Sequence, residues 1–188
     1  MANENGPNGL RAVRHSTGGA IRLSEYAIAS AYNTDIFTGD QVEMTGTGKI
    51  IAKAAAGNMD SIGVFAGCRY VDAQGRQVFS PMWPANQVAT DIRAMVYDDP
   101  NIVFEAQVST IAAADVGQLA DWAAGTGNAT TGISGGYIDG ATFAASNATF
   151  RVLGLVPRVK NEYGAYAKIE VMFIEHALRG VVAGVGGQ

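Results

Sequence analysis

Short segments of alternating polar and apolar residues, separated by turn residues, recur along the chain. Residues 41–45 (Gln-Val-Glu-Met-Thr) alternate strictly, and residues 103–108 alternate again. Glycine, asparagine and aspartate separate such segments at intervals of roughly 8–12 residues. A period of two is typical of strands with one buried face. The pattern therefore predicts a mainly β fold of about eight to ten short strands, arranged as a barrel or a sandwich.

The segment 61–71 is the longest apolar run and includes Ile62, Val64, Phe65 and Cys68. It predicts a strand that is buried on both faces or nearly so. The turn residues 72–75 (Asp-Ala-Gln-Gly) precede a further short strand at 77–80, so this region predicts a hairpin. Residues 112–116 are the best helical candidate, a single turn ended by glycine.

Both ends of the chain differ from the middle. The first nineteen residues are polar and rich in asparagine and glycine, and residues 180–188 are rich in glycine. Segments of this composition lack the apolar material for a packed element. We therefore predict an N-terminal arm over residues 1–19, a single β-rich domain over residues 20–179, and a flexible tail over residues 180–188.

Composition points to contact with other protein. Charged residues make up 16% of the chain, against about 25% in a typical soluble domain. Nine of the basic residues are arginine and four are lysine, a bias found in protein interfaces; codon bias would produce it too. The net charge is −4 without a basic block, which disfavours nucleic-acid binding.

Cys68 is the one cysteine, so no disulfide forms within the chain, and we interpret it as a small buried hydrophobic residue. The N-terminal residues lack the features of a signal peptide. No window approaches the ~18 consecutive apolar residues of a membrane span. These features predict a protein made in the cytoplasm that does not enter a membrane.

Motifs that carry chemistry are incomplete. Residues 127–134 have the glycine spacing of a phosphate-binding loop but lack its lysine, so a flexible or partner-facing loop is the favoured interpretation. The two histidines, His15 and His176, lie outside the predicted strand-rich centre, which disfavours a catalytic triad. A zinc site needs a closer cluster of ligands than the chain offers.

Carboxylates and aromatic rings leave more alternatives open. Asp98 and Asp99, with Asp91 and Glu105 nearby, could hydrolyse a glycoside or bind a cation, although Asp-Asp-Pro is ordinary turn chemistry. The rings of the following residues could line a carbohydrate-binding surface, although packing in a core or subunit interface is more common: Phe79, Trp83, Trp122 and Tyr137. We predict no catalytic, cofactor or metal site, and no enzyme activity.

A set of short motifs in the central region resembles small head structural proteins of marine tailed phages, usually taken as capsid decoration (cement) proteins. The resemblance covers roughly residues 35–175. Its motifs are Gly39-Asp40-x-Val42, Gly46-Thr47-Gly48, Ile62-Gly63-Val64-Phe65-x-Gly67-Cys68-x-Tyr70, Phe79-Ser80-Pro81-x-Trp83-Pro84, Val96-Tyr97-Asp98-Asp99-Pro100, Phe104-x-Ala106-Gln107, Asp115-Val116-Gly117 and Asn161-Glu162-Tyr163-Gly164.

The resemblance implies a compact β-barrel or β-tulip-like body on the outer face of an HK97-type head. The implied partners are the major capsid protein and further copies of this chain, with a trimer favoured over a dimer, and the implied location is the exterior of the virion. Arms of such proteins often add strand or loop contacts to the shell.

Interface residues are accordingly the predicted site. We choose Leu10, Arg11, Val13 and Arg14 from the arm, as apolar anchors and guanidinium groups, and Trp83 and Trp122 from loops, because large aromatic side chains dominate interface energetics. The alternatives are another virion component, such as a tail tube or head-fibre base, a carbohydrate- or host-surface-binding module, and a hydrolase that uses Asp98, Asp99 or Glu105.

Overall fold

The computed structural model describes residues 3–45, 49–57, 61–144 and 148–179. Strands make up 50% of the structure and helices 3%, which confirms the predicted mainly β class. Two single-turn 3-10 helices span Ala113–Asp115 and Ala177–Arg179. The strands are β1 Arg11–His15, β2 Ser24–Ile28, β3 Ile36–Phe37, β4 Gln41–Met44, β5 Ile50–Lys53, β6 Ser61–Val71, β7 Gln77–Ser80, β8 Met82–Trp83, β9 Thr90–Tyr97, β10 Ile102–Gln107, β11 Thr110–Ile111, β12 Leu119–Ala123, β13 Tyr137–Ala144, β14 Phe150–Leu155, β15 Gly164–Ala165 and β16 Lys168–Phe173.

A closed barrel is formed by strands β4, β5, β2, β9 and β6, in that order, because β6 also pairs with β4. The β2–β5 pair is parallel and the other pairs are antiparallel. The strand β6 pairs with β4 along its first half and with β7 along its second half. Closure leaves the barrel strands without open edges, and β7 is attached outside the ring as a sixth strand.

The strand β6 forms a wall between two hydrophobic cores. Ile62 and Phe65 pack in the barrel core, whereas Val64 packs in a second core. This confirms the prediction of a strand buried on both faces. Gly63 has a φ of +148°, and a Cβ atom there would overlap the Tyr97 carbonyl. Glycine at this position therefore allows β9 to approach β6 closely.

The second core lies on a sheet with the strand order β1-β10-β16-β14-β12-β13, in which all pairs are antiparallel. A separate parallel bridge between Val108 and Ile138 brings the start of β13 back towards β10. Phe173 contacts Phe104 and Phe150 in this core, with ring centroids 5.7 and 4.4 Å apart. The sheet therefore curls around a cluster of aromatic rings.

Within the predicted N-terminal arm, residues 11–15 form a strand of the body. The strand β1 pairs with β10, with Arg11 opposite Glu105 and His15 opposite Ile102. Leu10 is only 2% exposed and belongs to the second core. Burial of this side chain and the added strand pairing hold the segment on the body. The predicted tail at 180–188 lies outside the described residues.

Local turn chemistry follows the sequence. The β6–β7 hairpin is confirmed, and the Asp72 carboxylate accepts hydrogen bonds from the backbone N–H groups of Gln74 and Arg76. The predicted helical turn forms as Ala113–Asp115 and is followed by Gly117 at a φ of +91°. The motif Gly46-Thr47-Gly48 lies outside the described residues.

Asp40 joins the barrel to the other half of the fold. Its carboxylate is fully buried and lies 2.9 Å from the ammonium group of Lys53 on β5. The backbone N–H of Phe37 donates to it at 2.9 Å, and the hydroxyl of Ser134 donates to it at 2.5 Å. Ser134 lies in the loop that leads into β13, so one buried carboxylate connects both sheets.

We expect the substitution Asp40→Asn to lower the free energy of unfolding by about 3 kcal/mol, because it leaves the Lys53 ammonium group buried without its counter-charge. Urea unfolding followed by circular dichroism measures this loss. The exposed Glu162→Gln is the matched control and should change the free energy by less than about 0.5 kcal/mol. A loss for Asp40→Asn no larger than the control's would contradict the role assigned to this carboxylate.

Cys68 provides a chemical test of burial. The side chain is 4% exposed, its thiol donates to the Met82 carbonyl, and burial raises its pKa to about 12. The thiol therefore stays protonated and unreactive in the folded protein. We expect Ellman's reagent at about pH 8 to modify the protein only after denaturation in guanidinium chloride. Rapid modification of the folded protein would show that this wall of the barrel opens.

Candidate functional site

Three of the predicted interface residues lie on the surface, on strand β1. Arg11 and Arg14 are exposed, and Val13 is 43% exposed. The strand is one edge of the second sheet, and its pairing with β10 is interrupted by an irregularity between Ala12 and Arg14. The Arg14 guanidinium reaches across β10 and donates to Glu170 at 2.6 Å. Because of the irregularity, this edge presents side chains more readily than a continuous row of backbone groups.

The other three predicted interface residues are buried inside the chain. Leu10 and Trp122 both pack in the second core, where Trp122 is 1% exposed. Trp83 is 0% exposed and packs edge-on against Tyr70 in the barrel core, with centroids 5.4 Å apart. Both tryptophans lie in strands rather than loops. Since a side chain buried inside the chain cannot contact a partner, the structure corrects these three assignments.

The strand β7 is a second open edge, and it carries a highly exposed aromatic ring next to the barrel. It pairs with β6 on one side only, in a continuous register from Gln77 to Ser80. Phe79 is 70% exposed. Natural edge strands usually carry a lysine, a proline or a bulge that prevents pairing with another chain, and β7 contains none of these. This edge is therefore suited to contact another protein.

A group of four charges lies beside Phe79 on the outer face of the barrel. Arg69 stands opposite Phe79 in the strand pairing. Asp91 lies 3.3 Å from both Arg69 and Arg93, and Glu25 lies 3.9 Å from each of these guanidinium groups. Each exposed pair contributes little by itself. Together with the ring they form a surface that we call the β7 patch, defined by Phe79, Arg69, Asp91, Arg93 and Glu25.

The carboxylates singled out by the sequence have separate partners. Asp98 accepts a hydrogen bond from the Tyr26 hydroxyl at 2.9 Å. Glu105 accepts one from Arg158 at 2.8 Å. The partners of Asp91 are arginines of the β7 patch. No group of three or more His, Cys, Asp or Glu residues within the described ranges could hold a metal ion.

One acidic group that the sequence interpretation missed is perturbed. Burial, and then the negative charge of Asp121, raise the pKa of Glu175. The Glu175 Oε2 atom is buried without a hydrogen-bond partner among the described residues. A hydrolase would place such a group in a cleft with substrate access. Glu175 lines neither of the two clefts of the surface described below.

His15 lies within the strand-rich body, contrary to the prediction. Its Nε2 atom lies 2.9 Å from Asp99, and its Nδ1 atom accepts from the backbone N–H groups of Thr17 and Gly19 and from the Thr17 hydroxyl. Burial would raise the pKa of Asp99, but hydrogen bonds from Asn101 and His15 lower it overall. Three donors share one lone pair of the imidazole, which is the geometry of a closed turn rather than of an activated nucleophile.

The glycine-rich loop is anchored on the body at its ends, whereas residues 128–131 and Ile133 are exposed, and a partner-facing role stays a prediction. The Asn128 side chain accepts hydrogen bonds from the backbone N–H groups of Thr130 and Thr131. A Cβ atom at Gly127 would overlap the Phe37 ring, and one at Gly136 would overlap Trp122. The glycines therefore let the loop lie against two aromatic rings, and no cradle of free N–H groups for a phosphate results.

Comparison with known proteins identifies no family, so the class of protein has to be inferred from the surfaces of the structure. No protein-family model matches the chain, and no curated protein or solved structure matches it. None of the helices within the described residues has the length and apolar character needed to cross a membrane.

Proposed function

We propose that this chain is a structural protein of a tailed-phage virion, a decoration (cement) protein that binds the outer face of an HK97-type head as a homo-oligomer. The motif resemblance in the central region supports the class. The observation that carries the assembly is the open, regular edge of β7 with its 70% exposed Phe79. The implied partners are the major capsid protein and neighbouring copies of this chain.

A trimer at a local three-fold position needs two different surfaces on each subunit, because each contact is head-to-tail. Two edge strands within the described residues carry such surfaces, β7 with its patch and β1 with Arg11, Val13 and Arg14. In the proposed trimer, β7 of one subunit contacts β1 of the next. A two-fold dimer would instead use one of these edges twice.

Head stabilisation then follows from repetition. A trimer bridges neighbouring capsomers and opposes the outward pressure of packaged DNA. Each copy need contribute only a few kcal/mol, since linked copies bind with increased avidity. No catalytic group takes part in this mechanism, so we propose that the protein is not an enzyme.

The oligomer is tested by light scattering coupled to gel filtration. We expect the unmodified protein to form a trimer and Phe79→Asp to be monomeric, because a carboxylate in the contact would lose its water without gaining a partner. Val116→Asp is the matched control, since Val116 is 36% exposed and belongs to neither β1 nor β7, and it should remain trimeric. A monomeric unmodified protein would contradict the proposal.

Mixing two variants distinguishes a trimer from a dimer. Val13→Asp keeps an intact β7 patch, and Phe79→Asp keeps an intact β1. If β7 contacts β1, each variant is monomeric by itself and an equal mixture forms dimers that cannot grow further. If β7 contacts β7 of a second copy, Val13→Asp forms dimers without its complement, and the head-to-tail arrangement is excluded.

Binding to the shell is tested by cosedimentation of the purified protein with expanded heads that lack it. We expect saturable, stoichiometric recovery and heads that withstand a higher temperature. Phe79→Asp should bind at least about tenfold more weakly, because loss of the trimer removes avidity. Failure of the unmodified protein to bind heads would overturn the decoration role. Assembly into rings instead of trimers would also overturn it and would favour a tail component.

A further inference from the structure

Two clefts lie beside the second sheet and share Tyr166 in their linings. Each has a volume of about 320 Å³. The first is bounded by the N-terminal segment at Asn3 and by the loop that carries Arg158 and Lys160. The second is bounded by Gln107, Tyr137 and the glycine-rich loop. Together they form one groove that we call the Tyr166 groove, defined by the lining of these two clefts.

Tyr166 is held in position by its backbone. Its φ is +61°, a left-handed conformation that is rare for an aromatic residue. Its N–H donates to the Ser109 carbonyl at 3.1 Å, and the adjacent β15 pairs with β11. The ring is 40% exposed, and its hydroxyl has no hydrogen-bond partner among the described residues. Strained residues that project a free polar group often lie at binding sites.

The first cleft has an excess of positive charge. Lys160 has no carboxylate within ion-pair distance among the described residues. Lys168 is partly buried, and its ammonium group donates to two neutral acceptors, the Gly6 carbonyl at 2.7 Å and Gln107 at 3.2 Å. Arg158 is paired with a carboxylate beneath the cleft, and Glu4 is the acidic residue in the lining. Lys168 also interacts electrostatically with Glu105, the carboxylate that pairs with Arg158. The three cations Arg158, Lys160 and Lys168 therefore exceed the two nearby carboxylates, Glu4 and Glu105, and favour an anionic group.

The second cleft is uncharged and is suited to a sugar ring. Its lining combines the rings of Tyr137 and Tyr166 with the side-chain amides of Asn5 and Gln107 and the hydroxyl of Ser109. Aromatic faces pack against the C–H faces of a pyranose. The Gln107 amide already pairs with Asn5, Gly6 and Lys168, so the N–H groups of the Asn5 amide are the donors left for the sugar hydroxyls. Such a mixture of apolar walls and a few polar groups is typical of small-molecule sites.

An acidic peptide fits this groove less well. An extended peptide gains most of its affinity by adding to an open sheet edge. The strands β10 and β16, which carry the lining residues Gln107 and Lys168, are paired on both sides and offer no such edge. The polar groups available are side chains, which favour a ligand with many hydroxyl groups.

We propose that the Tyr166 groove binds an anionic saccharide. A carboxylate or sulfate group lies against Lys160 and Lys168 in the first cleft, and a neutral sugar ring of the same chain lies against Tyr137 in the second. Tyr166 contacts the saccharide at the linkage between the two. The site does not depend on the decoration role, and on a virion it would attach the particle to acidic surface glycans.

Calorimetric titration of the full-length protein tests the site with four probes: a galacturonate tetrasaccharide, a chondroitin sulfate tetrasaccharide, the methyl ester of the galacturonate, and tetraglutamate. We expect at least one acidic saccharide to bind, and to bind about tenfold more tightly than the ester or the peptide. The first two probes distinguish a carboxylate ligand from a sulfate ligand.

Asparagine variants separate binding from folding, because asparagine tolerates the left-handed backbone at both positions. We expect Tyr166→Asn to weaken binding about tenfold. Lys160→Asn should weaken it about threefold at low salt, and this difference should vanish at about 0.5 M salt. The matched controls are Tyr163→Asn, an exposed ring outside both clefts, and Arg22→Gln, an exposed cation elsewhere. Both should bind as the unmodified protein does.

Three results would overturn the proposal. The first is that neither acidic saccharide binds. The second is that tetraglutamate binds as tightly as the saccharide, which would assign the groove to acidic peptides. The third is that the two control variants weaken binding as much as Tyr166→Asn and Lys160→Asn do, which would place the contact outside the groove. Amide chemical shifts of each variant, compared with the unmodified protein, establish that it is folded.

Discussion

The rest of the structure depends on the burial of one charge, the carboxylate of Asp40. A buried carboxylate destabilises a fold unless an opposite charge and hydrogen-bond donors surround it. Lys53 supplies the charge and Ser134 supplies a donor from the other half of the chain. The neighbouring Gly39 carbonyl accepts a hydrogen bond from Leu10 N–H at 2.9 Å. Three segments that are distant in sequence therefore converge on one short turn. None of them can move away without leaving a buried polar group exposed to water or without a hydrogen-bond partner.

This convergence determines which aromatic side chains reach the surface. Once Ser134 is bonded to Asp40, the glycine-rich loop lies against the body, and Gly136 packs on the face of Trp122. Trp83 is enclosed by the barrel. Phe79 lies on the strand outside the closed ring, so its ring stays exposed. The same closure that stabilises the core therefore leaves one regular strand edge unpaired, which is why the proposed assembly starts from β7.

The surfaces that remain have different physical characters. The β7 patch combines an apolar ring with paired charges and suits another folded protein. The Tyr166 groove combines an excess of cations with amides and tyrosine rings and suits a polar, anionic ligand. The β7 patch and the groove lie on different sheets, whereas β1, the other contact of the proposed trimer, lies on the same sheet as the groove.

Sequence alone determined the features that depend on neighbouring residues. Alternation identified β4 and the mainly β class, the apolar run identified β6 with Cys68 inside it, and the turn at Asp72 identified the β6–β7 hairpin. Only the tertiary structure decided the features that depend on distant partners. The strand β1 has no alternating burial pattern and exists because β10 is available to pair with it. The strand β13 contains a single buried residue, Ile138, and is likewise defined by its pairing. Whether a tryptophan is enclosed or exposed depends on which loops close over it, and that is set by non-local contacts such as the one between Asp40 and Ser134, which no local pattern records.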